Sequence, residues 1–265
     1  MTTIKISDFI DSSTPFYTGF FYSCGKKVED APNWAMSLKA AQSMRFRYDE
    51  INSNRSAFFN SFFSSTKDIA SVELIHSKIV YAIDSASEIK QRKGDGIITD
   101  NPAVVPVVTV ADCMPIFIYD RKTKVFGSLH SGWKGTGIVA EAIRLAGEKY
   151  GARAEDFLVV LAPHIQSCCY SVDKERADYF IKNFSSDCVE VTSDGKYHLS
   201  LAKANLAVLQ KIGVKDENIT VAVDCTCCTT DKNCIEKKYP FGSFRRETNA
   251  TIGKPFTVQA AFCYR

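Results

Sequence analysis

Val104-Val105-Pro106-Val107-Val108-Thr109-Val110 runs through Ala111-Asp112-Cys113 into Met114-Pro115-Ile116-Phe117-Ile118-Tyr119. A polar turn, Asp120-Arg121-Lys122-Thr123, then leads to Val125-Phe126-Gly127-Ser128-Leu129 and His130. β-Branched and aromatic residues dominate these runs, and their length suits strands rather than helices. The pattern predicts strands over 104–110, 114–119 and 125–129, the last two closing as an antiparallel hairpin. Pro106 has no N–H to give a ladder, which predicts an edge position or a strand start for the first run. With Asp120 opposite Thr123, Cys113 falls across from His130. Opposed residues carry Cβ atoms roughly 4.5–5.5 Å apart, near enough for a shared metal or a thiolate–imidazolium pair. A buried cysteine beside a core histidine is the plainer alternative, and the pairing depends on register.

Beyond His130, Gly132-Trp133-Lys134-Gly135-Thr136-Gly137 opens a helix whose apolar positions are Val139, Ala142, Ile143 and Ala146. Free N–H groups at such a helix start suit an anion, although a tight packing turn reads the same way. The run matches neither the dinucleotide fingerprint nor the Walker pattern. Upstream, Ile51, Phe58, Phe59, Phe62 and Phe63 predict a helix over 49–63, and β-branched pairs predict a strand over 69–83 that projects His76 from one sheet face. Downstream come a strand over 157–161, a helix capped by Asp173 that runs towards Phe184, and one capped by Ser200 over 201–212, with Gly213 at its C′ position. Strands and helices interleave without a doubly wound rhythm. The expectation is an α+β or mixed α/β fold: a single layered domain over residues 1–265, with a mixed, largely antiparallel sheet flanked by helices.

The 265 residues include 33 Lys+Arg, 30 Asp+Glu and 45% apolar residues, so there is ample material for a core and no sign of a disordered chain. A net charge of +3 is too mild to argue for nucleic acid or an anionic membrane as partner. The richest apolar stretch, from Val104 to Tyr119, is broken by Pro106, Asp112 and Pro115, which argues against a membrane span. The N-terminus lacks the pattern of a secretory signal, so a reducing cytoplasm is the expected location for ten mostly free cysteines. Cys168 and Cys169 are adjacent, and Cys225, Cys227, Cys228 and Cys234 crowd one segment. That second group reads as buried free thiols ahead of a structural metal site.

If Cys113 and His130 share a metal, a third ligand is needed, and the remaining histidines are His76, His164 and His198. Spacing does not choose among them. Asp112 adds a carboxylate beside the thiol.

Ala111-Asp112-Cys113-Met114-Pro115 and His130-Ser131-Gly132-Trp133-Lys134-Gly135 resemble the ADC-x-P and H-[AS]-GW-[RK]-G motifs of the laccase-domain family. That family was first labelled polyphenol oxidase and is understood as purine nucleoside phosphorylases. Supporting likenesses follow in order: Glu73-Leu74-Ile75-His76-Ser77, Gly94-Asp95-Gly96, Cys168-Cys169-Tyr170-Ser171-Val172 and Phe241-Gly242-Ser243-Phe244-Arg245-Arg246. The resemblance implies zinc ligands at His76, Cys113 and His130, leaving a fourth tetrahedral position open, as a catalytic site requires. It implies phosphorolysis of adenosine, inosine and methylthioadenosine, and adenosine deamination, for which Asp112 is the candidate proton shuttle. Candidate holders of phosphate or nucleoside are Arg55, Lys134, His164, Cys169, Arg245 and Arg246, since arginine binds phosphate oxygens bidentately. Two departures stand out: Ala162-Pro163-His164-Ile165-Gln166-Ser167 replaces a glycine-richer GPxIGP, and Lys134 replaces an arginine found in many members.

The expected partners are a purine nucleoside and phosphate, with a monomer or homodimer as the assembly. Three other readings compete. Cys113 with His130 as base would make a cysteine hydrolase or amidase. Copper polyphenol oxidation is weaker, because four histidines cannot furnish a multicopper centre. A non-enzymatic accessory factor for cell-wall editing would use the metal structurally.

Overall fold

A computed structural model describes residues 1–63, 66–249 and 253–265. Its strands are β1 (Thr2–Ile4), β2 (Phe16–Gly19), β3 (Asn33–Ser37), β4 (Asp68–Ser71), β5 (Val80–Ala82), β6 (Gly96–Thr99), β7 (Val104–Val110), β8 (Met114–Asp120), β9 (Phe126–Ser131), β10 (Phe157–Leu161), β11 (Ile219–Ala222) and β12 (Gln259–Tyr264). Two sheets result, ordered β1-β11-β10-β8-β9-β6-β5 and β2-β3-β12-β7-β4. A two-stranded ribbon and a small sheet over Ser171–Val172, Val189–Val191 and Tyr197–Leu199 complete the β-structure of the described residues.

The two sheets face each other across a core that includes Trp34, Met36, Val108, Phe117, Phe126, Val160 and Ala261. Ile116, Ile118, Val159 and Leu161 point to the other face of the seven-stranded sheet. There they meet α2 (Ile138–Tyr150), α3 (Lys174–Asn183) and α4 (Leu201–Lys211). On the outer face of the five-stranded sheet, Val105, Val107 and Phe262 pack under Phe59 and Phe63 of α1 (Ser53–Phe63). The layers therefore run helix, sheet, sheet, helix. Both faces of the central strands are covered, so β8 is buried along its whole length and its sequence is apolar from Met114 to Tyr119 rather than alternating.

The fold class matches the expectation, with two sheets where one was foreseen. Asp173 and Ser200 cap α3 and α4 by accepting from the Arg176 and Lys203 amides, and Gly213 takes φ +90° beyond α4. Pro106 is a correction: β7 is interior, between β12 and β4. Pro106 stands one residue before the β12 pairing begins at Val107, so its missing N–H removes no rung on that side. The strand foreseen over 69–83 is in fact two short strands joined by a loop that carries His76 at φ +59°. Helix α1 begins at Ser53, and Ile51 is fully exposed.

The hairpin register also differs. The buried Asp120 carboxylate accepts from the Lys122 and Thr123 amides, and Lys124 turns at φ +65°. This lengthens the turn, so Pro115 rather than Cys113 lies opposite His130. A two-residue shift keeps every side chain on its face. Cys113 accordingly precedes β8 in the short link where the chain leaves one sheet for the other, turning at Asp112 with φ +80°.

Candidate metal centre and active site

That crossing, the end of β9 and the loop before β5 meet at one edge of the paired sheets. The ligand atoms of His76, Cys113 and His130 lie within 4.8 Å of one another there. The two imidazole rings stand edge-on, with centroids 4.9 Å apart. Two imidazoles and a thiolate are a donor set that suits zinc and leaves a coordination position open. Gly132 gives the sulfur its room: a Cβ at that position would lie 2.9 Å from Cys113 Sγ and 3.4 Å from His76 Cδ2.

Asp95, fully buried, organises the group. Its carboxylate is 2.8 Å from His130 Nδ1 and accepts from the His76 amide at 3.0 Å and from both the amide and hydroxyl of Ser77. The Nδ1–H bond fixes the His130 tautomer and leaves the Nε2 lone pair free to take a metal. Burial opposes ionisation of Asp95, yet His130 and Ser77 hold it below the usual carboxylate range. Burial likewise opposes a thiolate at Cys113, but His130 and His76 outweigh it and bring the thiol down to about 6. His130 moves the other way: burial disfavours its cation, while Cys113 and Asp95 raise it to about 9. Left-handed backbone at His76 and Asp112 is uncommon for residues other than glycine, and such strain clusters at functional sites.

Two hollows share His76, Ala111, Cys113 and Phe244. The larger, about 520 Å³, is walled by Phe46, Phe244 and Phe256, with Arg45 and Arg47 at its side. The smaller, about 260 Å³, is lined by Trp133, Tyr170, Arg176 and Arg245.

The residues anticipated from the sequence separate into two groups. Arg245 reaches the smaller hollow, held by Ser171 and lying over the Tyr170 ring. Asp112 also lines it, and its carboxylate accepts from Thr226 Oγ, Ser243 Oγ and the Arg245 amide. Arg246 points elsewhere, its guanidinium donating to the carbonyls of Thr226, Cys227 and Phe241. Arg55 is buried between Phe46 and Phe59 and donates to the Met44 carbonyl and Ser71 Oγ, outside both hollows. Lys134 is exposed beside the Trp133 ring. His164 is fully buried, with Nδ1 bonded to the Ala162 carbonyl, and burial drives it down to about 4. Cys169 sits among other cysteines, away from the lining of both hollows.

The glycine-rich run packs as a tight turn, and the amide that opens its helix is already taken. The Gly137 amide donates to Asn205 Oδ1, Thr136 Oγ bonds the Gly132 carbonyl, and a Cβ on Gly135 would meet the Ser77 carbonyl at 2.8 Å. Sequence reasoning missed Asp95, Arg45, Arg47 and Arg176. Asp95 had a signal in Gly94-Asp95-Gly96; the arginines had none, since only the fold brings them to the site.

A family profile described as multi-copper polyphenol oxidoreductase laccase matches residues 31–258. The chain belongs to that family, whose description implies a metal. It is 33% identical over 195 residues to a purine nucleoside phosphorylase of Clostridium acetobutylicum, covering 73% of this chain and 77% of that one. It is 32% identical over 138 residues to an adenosine deaminase from an unknown prokaryotic organism, covering 51% and 53%. The solved structure of YlmD from Geobacillus stearothermophilus superposes with a TM-score of 0.76 at 23% identity, covering 93% and 96% of the two chains. The names of these relatives place purine nucleoside processing in the family. No helix among the described residues is long and apolar enough to cross a membrane.

Proposed function

We propose that this chain is a zinc-dependent purine nucleoside phosphorylase, with adenosine deamination as a second activity. The observation that carries the reading is the His76–Cys113–His130 triad, set between two hollows that are each lined by three aromatic rings and two arginines. Zinc held by these three residues would supply Lewis acidity beside the bound nucleoside.

The larger hollow has the volume of a small-molecule site, and Phe46, Phe244 and Phe256 offer faces for a purine. Arginines line both hollows, so size assigns the ends: the smaller hollow suits phosphate, with Arg245 and Arg176 to bind its oxygens. A phosphate oxygen would attack the ribose C1′ as the bond to the purine nitrogen breaks, and the leaving base would take up a proton. The chain's own part is to align the two reactants across the shared wall and to offset the charge of the phosphate. Asp112 acts chiefly by position, since its three hydrogen bonds tie Thr226, Ser243 and the start of α5 (Phe244–Thr248) to the residue before Cys113.

The lowered Cys113 thiol beside the raised His130 imidazole also suits a cysteine nucleophile, which is the second reading. Metal analysis with an alkylating probe separates the two: a zinc-bound Cys113 labels only after chelation. Product analysis on adenosine tests the activity. Adenine formed only with phosphate supports phosphorolysis, inosine formed without phosphate supports deamination, and no turnover of either kind overturns the proposal.

A further inference from the structure

Away from the triad, four sulfurs gather where two turns touch. Sγ atoms of Cys168, Cys169, Cys225 and Cys228 all lie within 4.8 Å of one another. Cys168 Sγ is 3.6 Å from Cys228 Sγ and 3.9 Å from Cys169 Sγ. A disulfide needs about 2 Å, and all four residues are unbonded. Thiolates on a tetrahedral zinc, each about 2.3 Å from the ion, stand about 3.8 Å from one another. The 3.6 and 3.9 Å separations match that zinc edge and are too long for a disulfide.

Hydrogen bonds hold each of the two turns. In one, the Cys169 and Tyr170 amides bond the Gln166 carbonyl, and the Ser167 carbonyl lies 2.6 Å from His198 Nδ1. In the other, Cys225 and Cys228 stand in C-x₂-C spacing, with the Cys225 amide donating to Thr229 Oγ and the Thr229 amide to the Cys225 carbonyl. The Gln166 amide of the first turn donates to Cys225 Sγ of the second at 3.4 Å. Cys227 and Cys234, both in the cluster noted from sequence, are not part of the foursome. Cys234 lies instead beside Ser12 and Asp231. The sequence cluster thus named the right neighbourhood and the wrong partners, because the adjacent pair Cys168-Cys169 joins only through the fold.

We propose that Cys168, Cys169, Cys225 and Cys228 bind a second zinc ion, a structural one. Four protein thiolates fill a tetrahedral ion and leave no position for water or substrate. Soft thiolate donors in this geometry favour zinc over oxygen-seeking cations. The ion would staple the segment that presents Tyr170 to the one that presents Thr226, whose hydroxyl holds Asp112. It would therefore brace one wall of the catalytic hollow without taking part in the reaction.

The experiment is a zinc count per chain on protein expressed with zinc and purified under a thiol reductant. Wild type is expected to hold two ions, a His76→Ala/His130→Ala variant one, and a Cys168→Ser/Cys228→Ser variant one. The two single losses keep this site distinct from the catalytic one, whichever of the two fails. Should the cysteine variant not fold, maleimide labelling of native wild type decides: Cys168, Cys169, Cys225 and Cys228 are expected to stay unlabelled until a strong chelator is added. Immediate labelling of all four, disulfides among them, or complete loss of zinc in the histidine variant would overturn the proposal.

Discussion

Replacing Asp95 with asparagine probes the centre without touching a ligand. The Asp95 carboxylate faces four donors: the His130 ring, the His76 amide, and the Ser77 amide and hydroxyl. Asparagine offers one acceptor oxygen, so its amide nitrogen must face either the Ser77 pair or the His76–His130 pair. In the first case the part-buried Ser77 amide and hydroxyl lose their partner, at up to about 1–3 kcal/mol each. In the second, His130 must move its proton from Nδ1 to Nε2, which removes the metal-binding lone pair. Partners of this kind are typically worth 10–100-fold in metal affinity, or about 1.4–2.7 kcal/mol. Competition against a chelator of known affinity should show Asp95→Asn binding zinc at least tenfold more weakly, with a lower unfolding midpoint. Affinity within twofold of wild type would refute the role given to Asp95.

Gly132→Ala should cut zinc occupancy while leaving the fold intact by circular dichroism, because its Cβ would press on Cys113 Sγ at 2.9 Å. His164, held near 4 by burial against an ordinary 6.5, refuses a proton that the unfolded chain accepts. Stability is therefore lost as pH falls from 6.5 towards 4, and His164→Gln should soften that loss by about 2–3 kcal/mol between pH 7 and 4.5 in urea titrations. Arg246→Leu should lower stability by about 2–4 kcal/mol, since it abandons three backbone carbonyls. Arg245→Ala should instead keep the unfolding midpoint and raise the KM for phosphate; the reverse pattern would exchange their roles.

Local rules wrote much of this fold into the sequence. The apolar runs of β7, β8, β9 and β10, the caps Asp173 and Ser200, and the buried face of α2 were all legible, because each depends on residues close in the chain. Features set by distant partners were not. Pro106 looked like an edge residue because nothing local reveals that β12 and β4 flank it. His76 looked like a strand residue, yet Asp95 draws its amide into a left-handed turn. Cys113 and His130 came out as neighbours despite a register error of two residues, since an even shift preserves the face. The basic residues fared worst: Arg246 and Arg55 carry charge that the fold spends on backbone carbonyls and aromatic faces, whereas Arg45, Arg47 and Arg176 reach the hollows unannounced.

The decisive measurement is inosine turnover with and without phosphate, on chelated protein and on the same protein reloaded with zinc. Hypoxanthine and ribose 1-phosphate are expected in equal amounts, only when zinc and phosphate are both present, and neither from a Cys113→Ala variant. Inosine left intact by the zinc-loaded protein in the presence of phosphate, or hypoxanthine released equally without phosphate, would contradict that expectation.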